Sequence, residues 1–197
     1  MTLAAMLLIG VTAFAQIHIG GGYAHQITTS GNSSNSATDG VYVGMSYNFP
    51  ISGALGVAPG LYFTGTFGGG NQSLGKFGSV EAKRQEHTVN IPIHLNYALN
   101  FGPAELFVYA GPTASIGLAA NFTGTTTILG FSADVPVDMY KDLDYNRFDV
   151  KLGGGLGVKY GAVQINGGYD FGMLNRYKDS KTTTRTNLFH VGVAYTF

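Results

Sequence analysis

The chain ends Asn187-Leu188-Phe189-His190-Val191-Gly192-Val193-Ala194-Tyr195-Thr196-Phe197. The odd positions Phe189, Val191, Val193, Tyr195 and Phe197 are large and apolar, and the even ones His190, Gly192, Ala194 and Thr196 are small or polar. Alternation with period two belongs to a strand with two unlike faces. A strand of a soluble sheet usually runs on into a polar turn. A last strand closing on an aromatic residue instead suits an apolar face against lipid and an aromatic end at the membrane interface.

The same period recurs upstream, near residues 17–29, 41–49, 54–67, 87–99, 104–120, 147–160 and 163–171. In the second segment, for example, Val41, Val43, Met45, Tyr47 and Phe49 alternate with Tyr42, Gly44, Ser46 and Asn48. Pro59 interrupts the third and predicts a bulge or a local break in its ladder, because proline has no N–H to donate. Short turns at 50–53, 100–103 and 161–162 alternate with four longer polar loops. An even strand count with short turns on one side and long loops on the other predicts an all-β, eight-stranded, antiparallel up-and-down transmembrane β-barrel. A soluble lipocalin-like barrel is the rival, and it would turn its apolar face inward. The strand charges here share a face with glycine and alanine. Small residues suit a narrow lumen, so the apolar face is expected outside.

Composition agrees. Of the 197 residues only 11% are charged, against about 25% in typical soluble proteins. The formal net charge is zero, so no global field recruits nucleic acid. With no cysteine, disulfides, thiolate zinc sites and cysteine nucleophiles are excluded. No apolar run is long enough for a spanning helix. The apolar stretch 3–15 ends Ala13-Phe14-Ala15, a small-x-small pattern that predicts a signal peptide over residues 1–15, cleaved after Ala15, and a barrel domain over 16–197. The usual basic start is missing, since no Lys or Arg precedes Lys76. A start placed too late, or a trimmed sequence, is the expected reason.

Glu105, Asp149, Lys151, Lys159 and Asp170 fall on the inward face with His94 and His190. Charges inside eight strands have little water, so they must pair or bear a heavy desolvation cost. The expected pairs are Glu105 with Lys159 and Lys151 with Asp170, forming a structural polar core. A proton or ion path is the alternative use of the same groups. Eight strands leave an interior that side chains fill, which disfavours an open pore.

Catalytic signals are weak. His25 and His87 lie near the outer rim and Ser30, Ser33, Ser34 and Ser36 in the first loop, but no spacing singles out a triad. The five His lack metal-ligand spacing, and the Gly153 to Gly157 run lacks the Gly-Lys-Ser/Thr of a phosphate loop. No catalytic residue, cofactor or metal is therefore expected. The loops hold Asp134, Asp138, Asp142 and Asp144 on one side and Arg176, Lys178, Lys181 and Arg185 on the other. Solvated surface charge is the expected reading of both sets; attraction between them across the rim, or contact of the basic set with anionic headgroups, is the alternative. The alternation over 128–137 can also extend strands above the membrane and present an edge to a partner.

Several stretches resemble a known family. Asn90-Ile91-Pro92-Ile93-His94-Leu95-Asn96-Tyr97, Tyr109-Ala110-Gly111-Pro112, the run from Phe148 through Gly153-Gly154-Gly155 to Gly157, and Tyr169-Asp170-Phe171-Gly172-Met173-Leu174-Asn175 are similar to the strand motifs of PorT-like outer-membrane β-barrel proteins of Bacteroidetes. Asp170 departs from that pattern, as does Gly168, where an Arg often precedes the Tyr. The resemblance implies residence in the bacterial outer membrane, contact with its lipids and insertion by the barrel-assembly machinery. That machinery would read Val193, Tyr195 and Phe197 in the last strand. No single activity is implied. The expected function is a barrel with a side-chain-filled lumen, structural or meeting an extracellular or envelope protein through its four loops. A narrow channel for small solutes comes second and a lipid-modifying enzyme third.

Overall fold

The period-two segments form strands in a computed structural model that describes residues 16–31, 35–73, 78–128, 131–178 and 182–197. The expected signal peptide, with Ser33, Ser34 and Lys181, lies outside the described residues. In chain order the strands are β1 (Gln16–Ser30), β2 (Ser36–Ser52), β3 (Leu55–Ser73), β4 (Gly78–Phe101), β5 (Ala104–Ile128), β6 (Phe131–Asp138), β7 (Phe148–Tyr160), β8 (Val163–Gly172) and β9 (Thr184–Thr196). One helical turn, α1 (Met139–Asp142), follows β6.

Eight of these strands close a ring. Each of β1 to β5 pairs antiparallel with its successor, β5 pairs β7, and β7, β8 and β9 follow in order. The ring shuts where β1 meets β9, from His18 opposite Thr196 to Ser30 opposite Thr184. Beyond that ladder the Phe197 amide donates to the Ile17 carbonyl at 2.9 Å. The three short turns carry Gly53, Gly102 and Gly161 at φ of 54°, 67° and 58°, the left-handed region that glycine enters without steric cost.

The two faces divide as the alternation requires. Val41 is 65% exposed, Leu156 59% and Ile165 58%, whereas Lys151 on the inward face is 5% exposed. An apolar wall on the outside of a closed ring leaves lipid as its solvent and excludes the lipocalin-like arrangement. Across Pro59 the ladder loses pairs but keeps its register with both neighbours. The register shifts elsewhere, between Pro50 and Ser52 beside the first short turn and in the β4–β5 pairing, where His87 faces Ala119 but Thr88 faces Gly117, so that Leu118 is the extra residue. Arg147 Nη1 holds the Leu118 carbonyl at 3.2 Å.

β4 and β5 run for 24 and 25 residues, against the roughly 9–11 that a tilted strand needs to cross a bilayer. Their surplus projects past the ring at the long-loop end. Residues 68–73 of β3 pair there with 79–84 of β4, 78–86 of β4 pair with 120–128 of β5, and β6 adds to β5 from Asn121 opposite Asp138 to Ile128 opposite Phe131. The far edge of β6 pairs with no other strand among the described residues.

Candidate functional site in the lumen

At the long-loop end the lumen is closed by charge. Arg84 and Glu86 reach inward from β4 just past the bulge, Asp149 and Lys151 from the start of β7, and Arg176 from the connection between β8 and β9. Arg176 Nη2 donates to Glu86 Oε1 at 2.6 Å, and its guanidinium lies 3.8 Å from Asp149. Arg84 Nη2 donates to the other Glu86 oxygen at 3.1 Å, and Gln26 Nε2 donates to that oxygen at 2.7 Å. Lys151 Nζ donates to Ser115 Oγ at 2.6 Å and stands 3.8 Å from Asp149.

The chain around Arg176 is fixed by backbone bonds. Its N–H donates to the Thr184 carbonyl at 2.8 Å, and its carbonyl accepts from the Asn146 N–H at 2.7 Å. Asn175 Oδ1 accepts from the Thr184 N–H at 2.9 Å. Above the cluster, Ala120, Met139, Tyr140 and Tyr145 pack together with Tyr177. The Tyr145 ring centroid lies 4.4 Å from the Arg176 guanidinium carbon, a cation–π contact.

Glu86 and Arg176 lie beyond the spanning stretch, which in β4 covers residues 89–99. Burial opposes charge on both. The Arg176 and Arg84 guanidiniums nevertheless hold the Glu86 carboxyl below its ordinary value, and Tyr145 and Glu86 hold Arg176 above its own. Both therefore stay ionised at neutral pH.

Below this plug runs a belt of five rings. Tyr62 meets Tyr42 at 5.9 Å between ring centroids, Tyr42 meets His190 at 5.9 Å, His190 meets Tyr109 at 6.4 Å, and Tyr109 stacks on His94 at 5.1 Å. Tyr109 Oη and His190 Nε2 are hydrogen-bonded at 3.0 Å. The rings come from β3, β2, β9, β5 and β4. The other three strands place Gly22, Gly155 and Gly168 at this level, so five rings cover eight strands. A Cβ at Gly155 or Gly168 would run into the Tyr109 hydroxyl, and one at Gly192 into that of Tyr42. A cavity of about 340 Å³ opens at the short-turn end beside Gly53, Ala54, Asn100 and Glu105 and reaches up to Asp170 and Thr113. The lumen is thus filled at one end and hollow at the other. A side-chain-filled interior describes only the plugged half; at the hollow end the small side chains of Ala54, Ala58 and Ala98 line the cavity.

Neither expected ion pair forms. Glu105 and Lys159 are opposite in register, but Lys159 Nζ donates to Gln16 at 2.7 Å instead. Lys151 points toward the long-loop end, to Asp149 and Ser115. Asp170 lies one pleat nearer the short turns, opposite Gly153, and its carboxylate stands 3.8 Å from His190 Nδ1. Arg176, expected at the outer rim, is buried in the plug. Of the acidic loop residues, Asp138 pairs locally, with Lys141 at 3.2 Å, and also caps α1 by accepting from the Tyr140 N–H at 3.0 Å.

Glu86 escaped notice because it stands between a loop and a periodic strand. The alternation of β4 continued upward through Arg84 and Glu86 would have found both. On the outside, His25 bonds Asp39 at 2.6 Å with Tyr23 donating to the same carboxylate, and His87 lies between Phe63 and Phe67. Ser30 bonds Thr184 across the β1–β9 seam. Val193, Tyr195 and Phe197 line the outer face of the last strand.

The family model described as "Outer membrane protein beta-barrel domain" matches residues 9–177. Among solved structures the chain is similar to Ail, the attachment invasion locus protein of Yersinia pestis, in complex with the heparin analogue sucrose octasulfate. Identity is 15% over 93% of this chain and 99% of that one, with a TM-score of 0.51. It is also similar to Neisserial surface protein A (12% identity, 92% and 97% covered, TM-score 0.48). A third likeness is to the outer membrane protein OprG of Pseudomonas aeruginosa (13% identity, 93% and 96% covered, TM-score 0.43). Among curated proteins no sequence matches.

Proposed function

Because the chain belongs to the outer membrane protein β-barrel domain family, we propose that it is a surface-interaction barrel of the bacterial outer membrane. The projecting sheet carries this reading. β3, β4 and β5 continue past the ring and β6 adds to them, and the β6 edge from Phe131 to Asp138 leaves a row of backbone donors and acceptors without a strand partner among the described residues. Such an edge accepts an extended segment of another protein by strand addition. The occupant is an extracellular or envelope protein, and the ring below serves as its anchor. No catalytic centre and no cofactor enter this function.

The finer readings belong with it. The four strand motifs support a PorT-like affiliation, residues 1–15 supply the export signal, and the barrel-assembly machinery reads Val193, Tyr195 and Phe197. Deleting residues 126–136 tests the interaction role. Displayed on a bacterium, the full protein should promote cell–cell adhesion, and the variant should keep the gel shift on boiling that marks a folded barrel yet lose that adhesion. Equal adhesion by both proteins would remove the sheet from the function.

A further inference from the structure

The geometry points to the hollow half of the lumen as a binding site for a neutral saccharide or polyol that enters from the short-turn end. Size admits it, since about 340 Å³ lies within the range of small-ligand pockets, roughly 300–1,000 Å³.

Charge narrows the class. No Lys or Arg lines the cavity among the described residues, so an anion would be stripped of water without a counter-charge. A cation fares little better. The carboxylates of the lining are Asp170 and Glu105. Asp170 faces a plug in which Arg84, Lys151 and Arg176 outnumber Glu86 and Asp149 by one, which offsets its charge. Glu105 stands at the mouth, where Lys159, opposite it in register, is bonded to Gln16 of the lining. What remains above the mouth is a polar interior whose carboxylate, Asp170, faces the cationic plug.

The wall chemistry names the ligand. Phenols, imidazoles and carboxamides offer donors and acceptors side by side, as in the Asn96–Asn48 bond at 2.9 Å, and a sugar hydroxyl both donates and accepts. The Tyr42 and Tyr62 rings line the cavity and supply apolar surface for the C–H side of a sugar ring. The rings of the belt are seated on glycine and hydrogen-bonded or stacked to one another, so binding orders little that is not already ordered.

The test uses the refolded full chain in a zwitterionic detergent without sugar headgroups. Calorimetric titration with glucose, N-acetylglucosamine and maltose is compared with spermidine and citrate. At least one sugar should bind saturably. Ala58→Phe and Ala98→Phe, two inward substitutions on different strands that fill the cavity, should each weaken it at least tenfold while retaining the gel shift on boiling. Binding of spermidine or citrate alone would overturn the ligand class. Undiminished sugar binding by both filled variants would overturn the location. No heat from any of the sugars up to about 50 mM would overturn the site.

Discussion

Arg176 and Glu86 decide how the long-loop end is closed. Arg176→Ala leaves Glu86 and Asp149 as buried carboxylates short of a partner, a change that costs about 3–5 kcal/mol in such settings. We expect the boiling-dependent gel shift of that variant to occur at a clearly lower temperature, and Lys178→Ala, an exposed neighbour, to leave it unchanged. The pH dependence has a definite sign. Glu86 is held below its ordinary value of 4.5, so its ion pairs stabilise fully above that pH and are lost as the pH falls through the lower folded value. Cleavage of the 173–178 segment by an acid-active protease should therefore rise only as the pH falls below 4.5, the ordinary carboxyl value, and Glu86→Gln should abolish that pH dependence. Sequence alone could not place these two residues. A loop that folds back into a lumen leaves no period, and Arg176 reads like any other loop cation. Its neighbour Asn175 was visible as the end of a strand motif, and its turn-fixing bond to Thr184 is the structural meaning of that position.

Strands were legible because a membrane wall imposes one rule on every outward position. That rule gives a direct test on β9, where outward Val191→Arg should cost about 2–4 kcal/mol near the bilayer midplane and reduce insertion. Where the rule lapses, so did the reading. The upper parts of β4 and β5 leave the bilayer, lose their apolar face and resemble loop, and the parity change at Leu118 hides Ala120 among the outward residues. The inward face is governed by space rather than by polarity, and there glycine is informative only once its ring is known. Gly155→Leu should displace Tyr109 from its seat and lower stability by about 1–3 kcal/mol, as overpacking does, read as a shift in urea midpoint for unfolding from micelles.

For the molecule as a whole, a plug at one end and a cavity at the other make a cup and not a tube. In planar bilayers the protein should show no steady conductance at neutral pH. A stable open level would assign it to the narrow channels instead. The seam between β1 and β9 has a consequence in time. These two strands lie at opposite ends of the barrel domain, so ring closure joins residues as far apart as that domain allows, and contacts of such separation form slowly. Until β9 arrives, β1 is a bare edge capable of pairing with any other chain. Closing that one seam removes both edges at once, and the interval before it forms is when the chain is most open to mispairing.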